Sequence, residues 1–327
     1  IYAVNLKGEM RTLINKVGTN NARFSSNYKY LININSSVEQ PHQYVLFDNK
    51  GNQVRVLEDN KEQKELLAKY GAERKEFGKF KTTQGTELNY WMIKPTNMEK
   101  GKEYPLLMYV YGGPGSQEVL NSQSRFSDYM WFRMLAQKGY VVACVDGRGT
   151  GMRGEEFKKC TYMELGKYET EDQIEAAKYF GSLDFIDKDR IGIFGWSYGG
   201  YMSTLCITKG ADYFKTAIAV APVTTWRYYD NVYTERFMRT PQENPKGYDE
   251  NSPINHVDKL KGNYLLIHGT ADDNVHVQNA VDLTTALIKA NKQFEQFFYP
   301  NQNHSRYGGN PRYHLYTLIS DVIFRKL

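Results

Sequence analysis

The sequence predicts an α/β chain: a mostly parallel sheet covered by helices, preceded by a stretch of antiparallel β structure. Three features predict it. From about residue 76, strand-like apolar runs alternate with helix-like runs, as βαβ units do. Residues 1 to about 58 instead carry short strands separated by turn residues at close spacing. One apolar strand runs straight into a helix through Gly195-Trp196-Ser197-Tyr198-Gly199, and a turn that abrupt needs small residues.

In chain order, Ile1–Leu6 alternates, Lys7-Gly8-Glu9-Met10 can turn, and Arg11–Ile14 resumes. Tyr28–Ile34 alternates again. Tyr44–Phe47 and Val54–Leu57 are strands joined by Asp48-Asn49-Lys50-Gly51-Asn52, a hairpin loop with its glycine. Short strands of this kind suggest a meander or a propeller blade. One blade cannot close a propeller, so a longer parent chain is expected. Residues 59–75 are polar and helix-prone and read as a linker helix. The expected division is therefore 1–58, 59–75 and 76–327.

Beyond it, strands are expected at Glu87–Ile93, Leu106–Tyr111, Tyr140–Val145, Arg190–Phe194, Thr216–Ala221, Asn263–His268 and Phe294–Tyr299. Helices are expected at Phe126–Lys138, Asp172–Gly181, Tyr198–Thr208, Val277–Ala290 and Tyr313–Phe324. In such sheets, sites form at the carboxyl ends of strands.

Composition excludes several function classes. Hydrophobic residues at 41% and charged residues at 24% belong to a globular chain able to bury its own core. The net charge of +5 is scattered without a basic block, which argues against a nucleic-acid footprint. Cys144, Cys160 and Cys206 match no zinc spacing, and an odd count makes no disulfide framework. No metal or organic cofactor is implied. No stretch approaches the roughly 18 apolar residues of a membrane span. The chain opens on Ile1 without an initiator Met or a signal-like segment, as a fragment would. Tyrosine, at 26 of 327 residues, fits either a core or a ligand pocket, and composition leaves both open.

The G-x-S-x-G turn is a nucleophile elbow, which makes the fold an α/β-hydrolase and Ser197 its nucleophile. A serine hydroxyl needs a base within hydrogen-bond reach and a carboxylate to orient that base. In this fold both follow the serine, acid first. Of the later histidines, His256 lies in a polar loop, His268 and His276 flank the expected acid, and His314 falls in the last helix. His304 follows the strand Phe294–Tyr299 and precedes the closing helix, where the base belongs. The acid should follow Asn263–His268, and Asp272 and Asp273 both fit. One of the two could instead cap the helix Val277–Ala290. An oxyanion hole needs two donors. The Tyr198 N–H is one, and the glycine loop Tyr111-Gly112-Gly113-Pro114-Gly115 is positioned to bring the other.

These residues, with Asp146-Gly147-Arg148-Gly149, Tyr228-Tyr229-Asp230-Asn231-Val232-Tyr233-Thr234-Glu235-Arg236 and His268-Gly269-Thr270-Ala271-Asp272-Asp273-Asn274-Val275-His276, resemble the prolyl oligopeptidase family of serine peptidases. Within it they are most similar to the dipeptidyl peptidase IV branch. The resemblance covers residues of about 76–327 closely and the N-terminal part more loosely. It implies Asp272 as the acid, Asn274 as a ligand for a substrate carbonyl, and the Tyr111 hydroxyl beside the Tyr198 N–H as the oxyanion hole. It implies a proline-sized pocket lined by Tyr198, Val223, Trp226, Tyr229, Tyr233 and Val275, although helical spacing alone would equally put Trp226, Tyr229 and Tyr233 in the core. Arg236 resembles a residue that helps position amine-binding acids, and those acids lie on propeller parts outside this chain.

The resemblance further implies a homodimer acting on peptides with proline near the N-terminus. Thr216 stands where animal members carry a disulfide cysteine, as in a bacterial-like member of the periplasm or cell envelope. The expected activity is release of Xaa-Pro dipeptides from unblocked N-termini. The alternatives are tripeptidyl, acylaminoacyl or endopeptidase cleavage. A non-catalytic interaction protein on the same scaffold is disfavoured, because Ser197 and His304 are both retained.

Overall fold

The computed structural model describes every residue except 72, 124–125 and 306–307, and only the backbone of 126–127. The described residues pack as two units. Residues 1–76, 93–96 and 120–138 form the first, and 77–92, 97–119 and 139–327 form the second.

The first unit opens with an antiparallel pair, β1 (Tyr2–Val4) and β2 (Met10–Thr12). Four strands follow in a meander: β3 (Thr19–Phe24), β4 (Tyr30–Ser36), β5 (Gln43–Asp48) and β6 (Gln53–Glu58), antiparallel and in that spatial order. This is the form of a propeller blade. Its apolar centre is Ile14, Leu31, Val45 and Phe47. The expected hairpin loop is present, with Asp48 Oδ1 accepting the N–H of Lys50 and of Asn52. β3, reading Thr-Asn-Asn-Ala-Arg-Phe, escaped the sequence reading because an edge strand this polar shows no alternation. The helix α1 (Lys61–Lys69) occupies the middle of the expected linker.

The large sheet has eight strands. β7 (Lys75–Lys81), β8 (Glu87–Ile93), β9 (Tyr104–Tyr109), β10 (Val141–Asp146), β11 (Ile186–Trp196), β12 (Thr216–Val220), β13 (Asn263–Gly269) and β14 (Glu295–Tyr299) lie in the order β14-β13-β12-β11-β9-β10-β8-β7. Strands β9 to β14 pair in parallel throughout. β9, β10 and β12 are buried along their whole length, as strands covered on both faces must be. That is why they read as unbroken apolar runs. β7 carries three lysines and a glutamate in seven residues and forms a sheet edge, where charge discourages further pairing. The sequence reading missed it for that reason.

The helices are α2 (Phe126–Gln137), α3 (Glu155–Lys159), α4 (Lys167–Gly181), α5 (Tyr198–Lys209), α6 (Asn231–Met238), α7 (Pro245–Glu250), α8 (Gln278–Lys289) and α9 (Asn310–Lys326). α3, α6 and α7 had not been anticipated. They are short and follow no apolar period. α5 is buried from Tyr198 to Thr208, so its packing rather than an amphipathic stripe holds it. Cys144 and Cys206 are buried. The Thr216 hydroxyl donates to the Lys326 carbonyl at 2.9 Å. The architecture is an α/β-hydrolase fold preceded by a partial propeller segment.

Candidate active site

The elbow lies between β11 and α5. Ser197 has φ of 61° and ψ of −119°, a conformation costly for a residue with a side chain. Close packing holds it there. A Cβ on Gly195 would meet the Gly199 carbonyl oxygen at 2.3 Å, and one on Gly199 would meet the Val110 oxygen at 2.1 Å. Neither position admits any other residue. The Ser197 N–H donates to the Val220 carbonyl at 2.8 Å, which stitches the turn to β12. Tyr198 is the first residue of α5, so its N–H has no acceptor within the helix and stands beside the serine.

The expected acid and base follow β13 and β14, beyond β12 in the sheet. His304, in the loop after β14, has Nε2 2.8 Å from Ser197 Oγ and Nδ1 2.8 Å from Asp272 Oδ2. Asp272, in the loop after β13, is buried, and its Oδ1 accepts the N–H of Asn274 at 3.0 Å and of Val275 at 2.9 Å. His268 Nε2 lies 3.4 Å from Oδ2 and 2.8 Å from the Val275 carbonyl. Burial works against the charged carboxylate. The hydrogen bonds from His268 and His304, the charge of His304 and the Asn274 N–H outweigh it, and hold Asp272 well below the ordinary carboxylate range.

Spacing had left Asp272 and Asp273 open, and the structure separates them: Asp272 is buried in the relay, and Asp273 is exposed. Neither caps α8. The residue before that helix is Val277, and no side chain caps it. Of the other histidines, His256 meets the Glu250 carbonyl and His314 the Tyr299 hydroxyl. His276 is exposed.

The expected pocket aromatics do cluster. Trp226 stacks on Tyr233 with ring centroids 5.9 Å apart, and Tyr229 meets both edge-on at 5.8 and 5.3 Å. Tyr198 lies 5.5 Å from Trp226 and 6.2 Å from Tyr111. Val223 and Val275 are buried in the same apolar cluster. Trp226 is nearly inaccessible, whereas Tyr111, Tyr229 and Tyr233 are half-buried, so Trp226 backs a wall that the tyrosines face. Asp230 fixes this wall by capping α6, accepting the Tyr233 N–H at 2.9 Å. The Tyr229 hydroxyl donates to Asn274 Oδ1 at 2.8 Å. The Asn274 amide N–H groups then have no acceptor among the described residues. Arg236 stands apart, exposed on α6 with no ion-pair partner among the described residues.

Two contacts lay outside the sequence reading. The Trp196 indole N–H donates to the His304 carbonyl at 3.0 Å, tying the base loop to the nucleophile strand. The Tyr198 hydroxyl donates to the buried Glu169 at 2.7 Å. Tryptophan inside an elbow motif hints at the first. Nothing local marks the second, because Glu169 lies in a polar first turn of α4 that does not look buried.

Among the described residues no group of His, Cys, Asp or Glu could hold a metal ion. The arrangement suits nucleophilic attack on a carbonyl, with a proton passed from Ser197 to His304.

A profile of the prolyl oligopeptidase family matches residues 126–326. The chain is 44% identical over 275 residues to prolyl endopeptidase FAP of Bos taurus, covering 83% of this chain and 35% of that relative. It is 39% identical over 279 residues to dipeptidyl peptidase 4 of Bos taurus, covering 84% of this chain and 36% of the other. The crystal structure of Porphyromonas gingivalis dipeptidyl peptidase 4 is 50% identical, with a TM-score of 0.96, over 100% of this chain and 46% of that one. The chain thus spans about a third of the length of the curated relatives it matches. A matched profile over most of the chain and relatives on both sides of the bacterial divide lead to one conclusion: the chain belongs to the prolyl oligopeptidase family.

Proposed function

We propose that this chain is the catalytic part of a serine exopeptidase that releases Xaa-Pro dipeptides from unblocked N-termini. The observation that carries the reading is the continuous Ser197–His304–Asp272 relay, with both links at 2.8 Å. In this reading Ser197 Oγ bonds to the proline carbonyl carbon while His304 Nε2 takes its proton. Asp272 keeps the Nδ1 proton of His304 in place and stabilises the imidazolium. The negative charge on the former carbonyl oxygen is met by the Tyr198 N–H and the Tyr111 hydroxyl. His304 then gives its proton to the leaving amine as the C–N bond breaks. Water, deprotonated by His304, then bonds to the same carbon; the ester C–O bond breaks, the dipeptide leaves as its acid, and His304 returns the proton to Ser197 Oγ. The box formed by Tyr198, Trp226, Tyr229 and Tyr233 suits a rigid apolar pyrrolidine, and the free Asn274 amide suits the preceding carbonyl.

Hydrolysis of Gly-Pro-p-nitroanilide by the full-length protein tests this, with Ser197→Ala as control. Serine-dependent turnover is expected, and turnover that survives the substitution sinks it. The relative named a prolyl endopeptidase supports a second reading, cleavage after internal proline. An N-blocked Gly-Pro substrate discriminates: the exopeptidase leaves it intact.

We further propose boundaries at 1–58 for the end of a propeller, 59–75 for a linker helix and 76–327 for the catalytic domain, to be checked by limited proteolysis. A homodimer in the bacterial periplasm or envelope completes the proposal. Light scattering and cell fractionation test it, and a cytosolic monomer would refute it.

A further inference from the structure

Glu169 is 2% exposed and Tyr198 3%. Glu169 Oε1 accepts the Tyr198 hydroxyl at 2.7 Å, and Oε2 accepts the Gly166 N–H at 3.0 Å. Among the described residues no cation pairs with it. A buried carboxylate without a counter-charge is expensive, so its retention beside the elbow calls for a role. Tyr198 sits at the junction of two parts of the site. Its N–H adjoins Ser197, and its ring contacts Trp226 and Tyr111 at the aromatic box. With the Tyr201 ring edge-on at 5.2 Å as well, the ring is anchored at its far end by Glu169, and the Tyr198 backbone beside Ser197 cannot shift without straining that bond.

We propose that Glu169 is a positioning residue for the nucleophile elbow: its carboxylate clamps the Tyr198 ring, and thereby sets both the Tyr198 N–H and the wall of the proline pocket. The pocket part of this inference rests on the proposed peptidase activity, and the N–H part does not.

The clamp depends on charge. A carboxylate accepts at both oxygens. A protonated carboxyl that still accepts from Gly166 must donate to the Tyr198 oxygen, which orphans the tyrosine hydrogen. Burial pushes Glu169 up to about 7, although the Tyr198 and Gly166 bonds lower it. The groups facing it are Tyr198 and Tyr201 on α5, Tyr233 on α6, Asp172 one turn along α4, and Cys160 after α3. The tyrosines and Cys160 are raised above their ordinary values. Burial raises Asp172 as well, against the pull of Arg148, which binds it at 2.7 Å. Glu169 is therefore the member of this group whose charge changes near neutrality.

The test compares wild type, Glu169→Gln and Tyr198→Phe in the full-length protein from about pH 5.5 to about pH 9. Three quantities are read: kcat/KM for Gly-Pro- and Gly-Ala-p-nitroanilide, the rate of Ser197 labelling by a fluorophosphonate, and Tm. Glutamine forces the reversed hydrogen bond at every pH. At about pH 8 it should lower Gly-Pro kcat/KM and the labelling rate about tenfold, the size of one charge-assisted bond. The Pro-to-Ala ratio should narrow with it. The gap from wild type should close as pH falls below about 7. Tyr198→Phe should reproduce these changes, and it decides the matter if Glu169→Gln does not fold. Unchanged ratio, labelling and pH profile overturn the proposal, as does a loss confined to Tm. If wild type labels but does not hydrolyse Gly-Pro, the peptidase reading fails alone, and a tenfold labelling difference still supports the clamp while equal labelling overturns it. A wild-type Ser197 that never labels overturns both.

Discussion

Two buried carboxylates flank the elbow, and their surroundings treat them in opposite ways. Asp272 receives two backbone N–H groups and faces two histidines. It is held well below the ordinary range despite its burial. Glu169 receives one backbone N–H and one tyrosine hydroxyl, and burial carries it up to about 7. Burial is common to both. The number and charge of the donors decide which one stays ionised. Pairs pushed apart in this way are how one fold separates an always-charged orienter from a group that can switch.

The contrast can be broken most forcefully at Asp272. Asp272→Asn should lower kcat roughly 10⁴-fold, read as p-nitroanilide release at a pH of about 8. A loss under about tenfold would remove Asp272 from the relay. Tyr111→Phe comes next. Of the two proposed oxyanion donors only Tyr198 is held by Glu169, so deleting the Tyr111 hydroxyl isolates that side. A fall in kcat of about 10²–10³ with little change in KM is expected, and a change confined to KM would reassign Tyr111 to substrate binding.

Stability sharpens the contrast further, because the two groups have opposite linkage. The folded Asp272 is depressed, so its contribution is present above the unfolded carboxylate range and is lost as pH falls through its folded value. The folded Glu169 is raised, so its relative contribution is lost as pH rises from about 4.5 to about 7. At about 1.4 kcal/mol per pH unit, that is about 3 kcal/mol. Glu169→Gln should erase this decline. In urea titrations at about pH 8 it should match or exceed wild-type stability even as activity drops. Equal pH slopes for variant and wild type would mean that Glu169 ionises freely in the folded protein. The smallest effect is expected at Trp196. Trp196→Phe removes the donor to the His304 carbonyl, a neutral bond of about 1 kcal/mol, so kcat should fall about fivefold with the Pro-to-Ala ratio intact. A changed ratio would mean that the indole also shapes the pocket.

Sequence made the strands rich in apolar residues plain and the polar ones obscure. Glu87–Ile93 was read to the residue, and β10, β12, β13 and β14 to within a residue or two; β10 and β12 are buried throughout and carry near-continuous apolar runs, while β8 and β14 show themselves by their aromatic pairs. β3 and β7 are edge strands without such runs. The helix α4 was begun at Asp172 rather than Lys167, because Glu169 and Thr170 look like surface residues yet are buried. Within the site, Ser197 and His304 follow from motif and chain order. The choice of Asp272 needed the family resemblance, since Asp273 differs from it only in which way the loop turns. Glu169 was invisible: its partner Tyr198 is 29 positions away, and no spacing rule joins them.

The relay also has a direction in time. Its three groups lie just after β11, β13 and β14, strands that follow one another outward through β12 in that order. His304 is 107 positions beyond Ser197. A chain emerging from the ribosome carries its serine long before its base. The contacts of His304, including the Trp196 indole N–H on its carbonyl, can form only once the chain beyond β14 has been made. Translation order within this chain thus separates Ser197 from the groups that complete its hydrogen-bond relay.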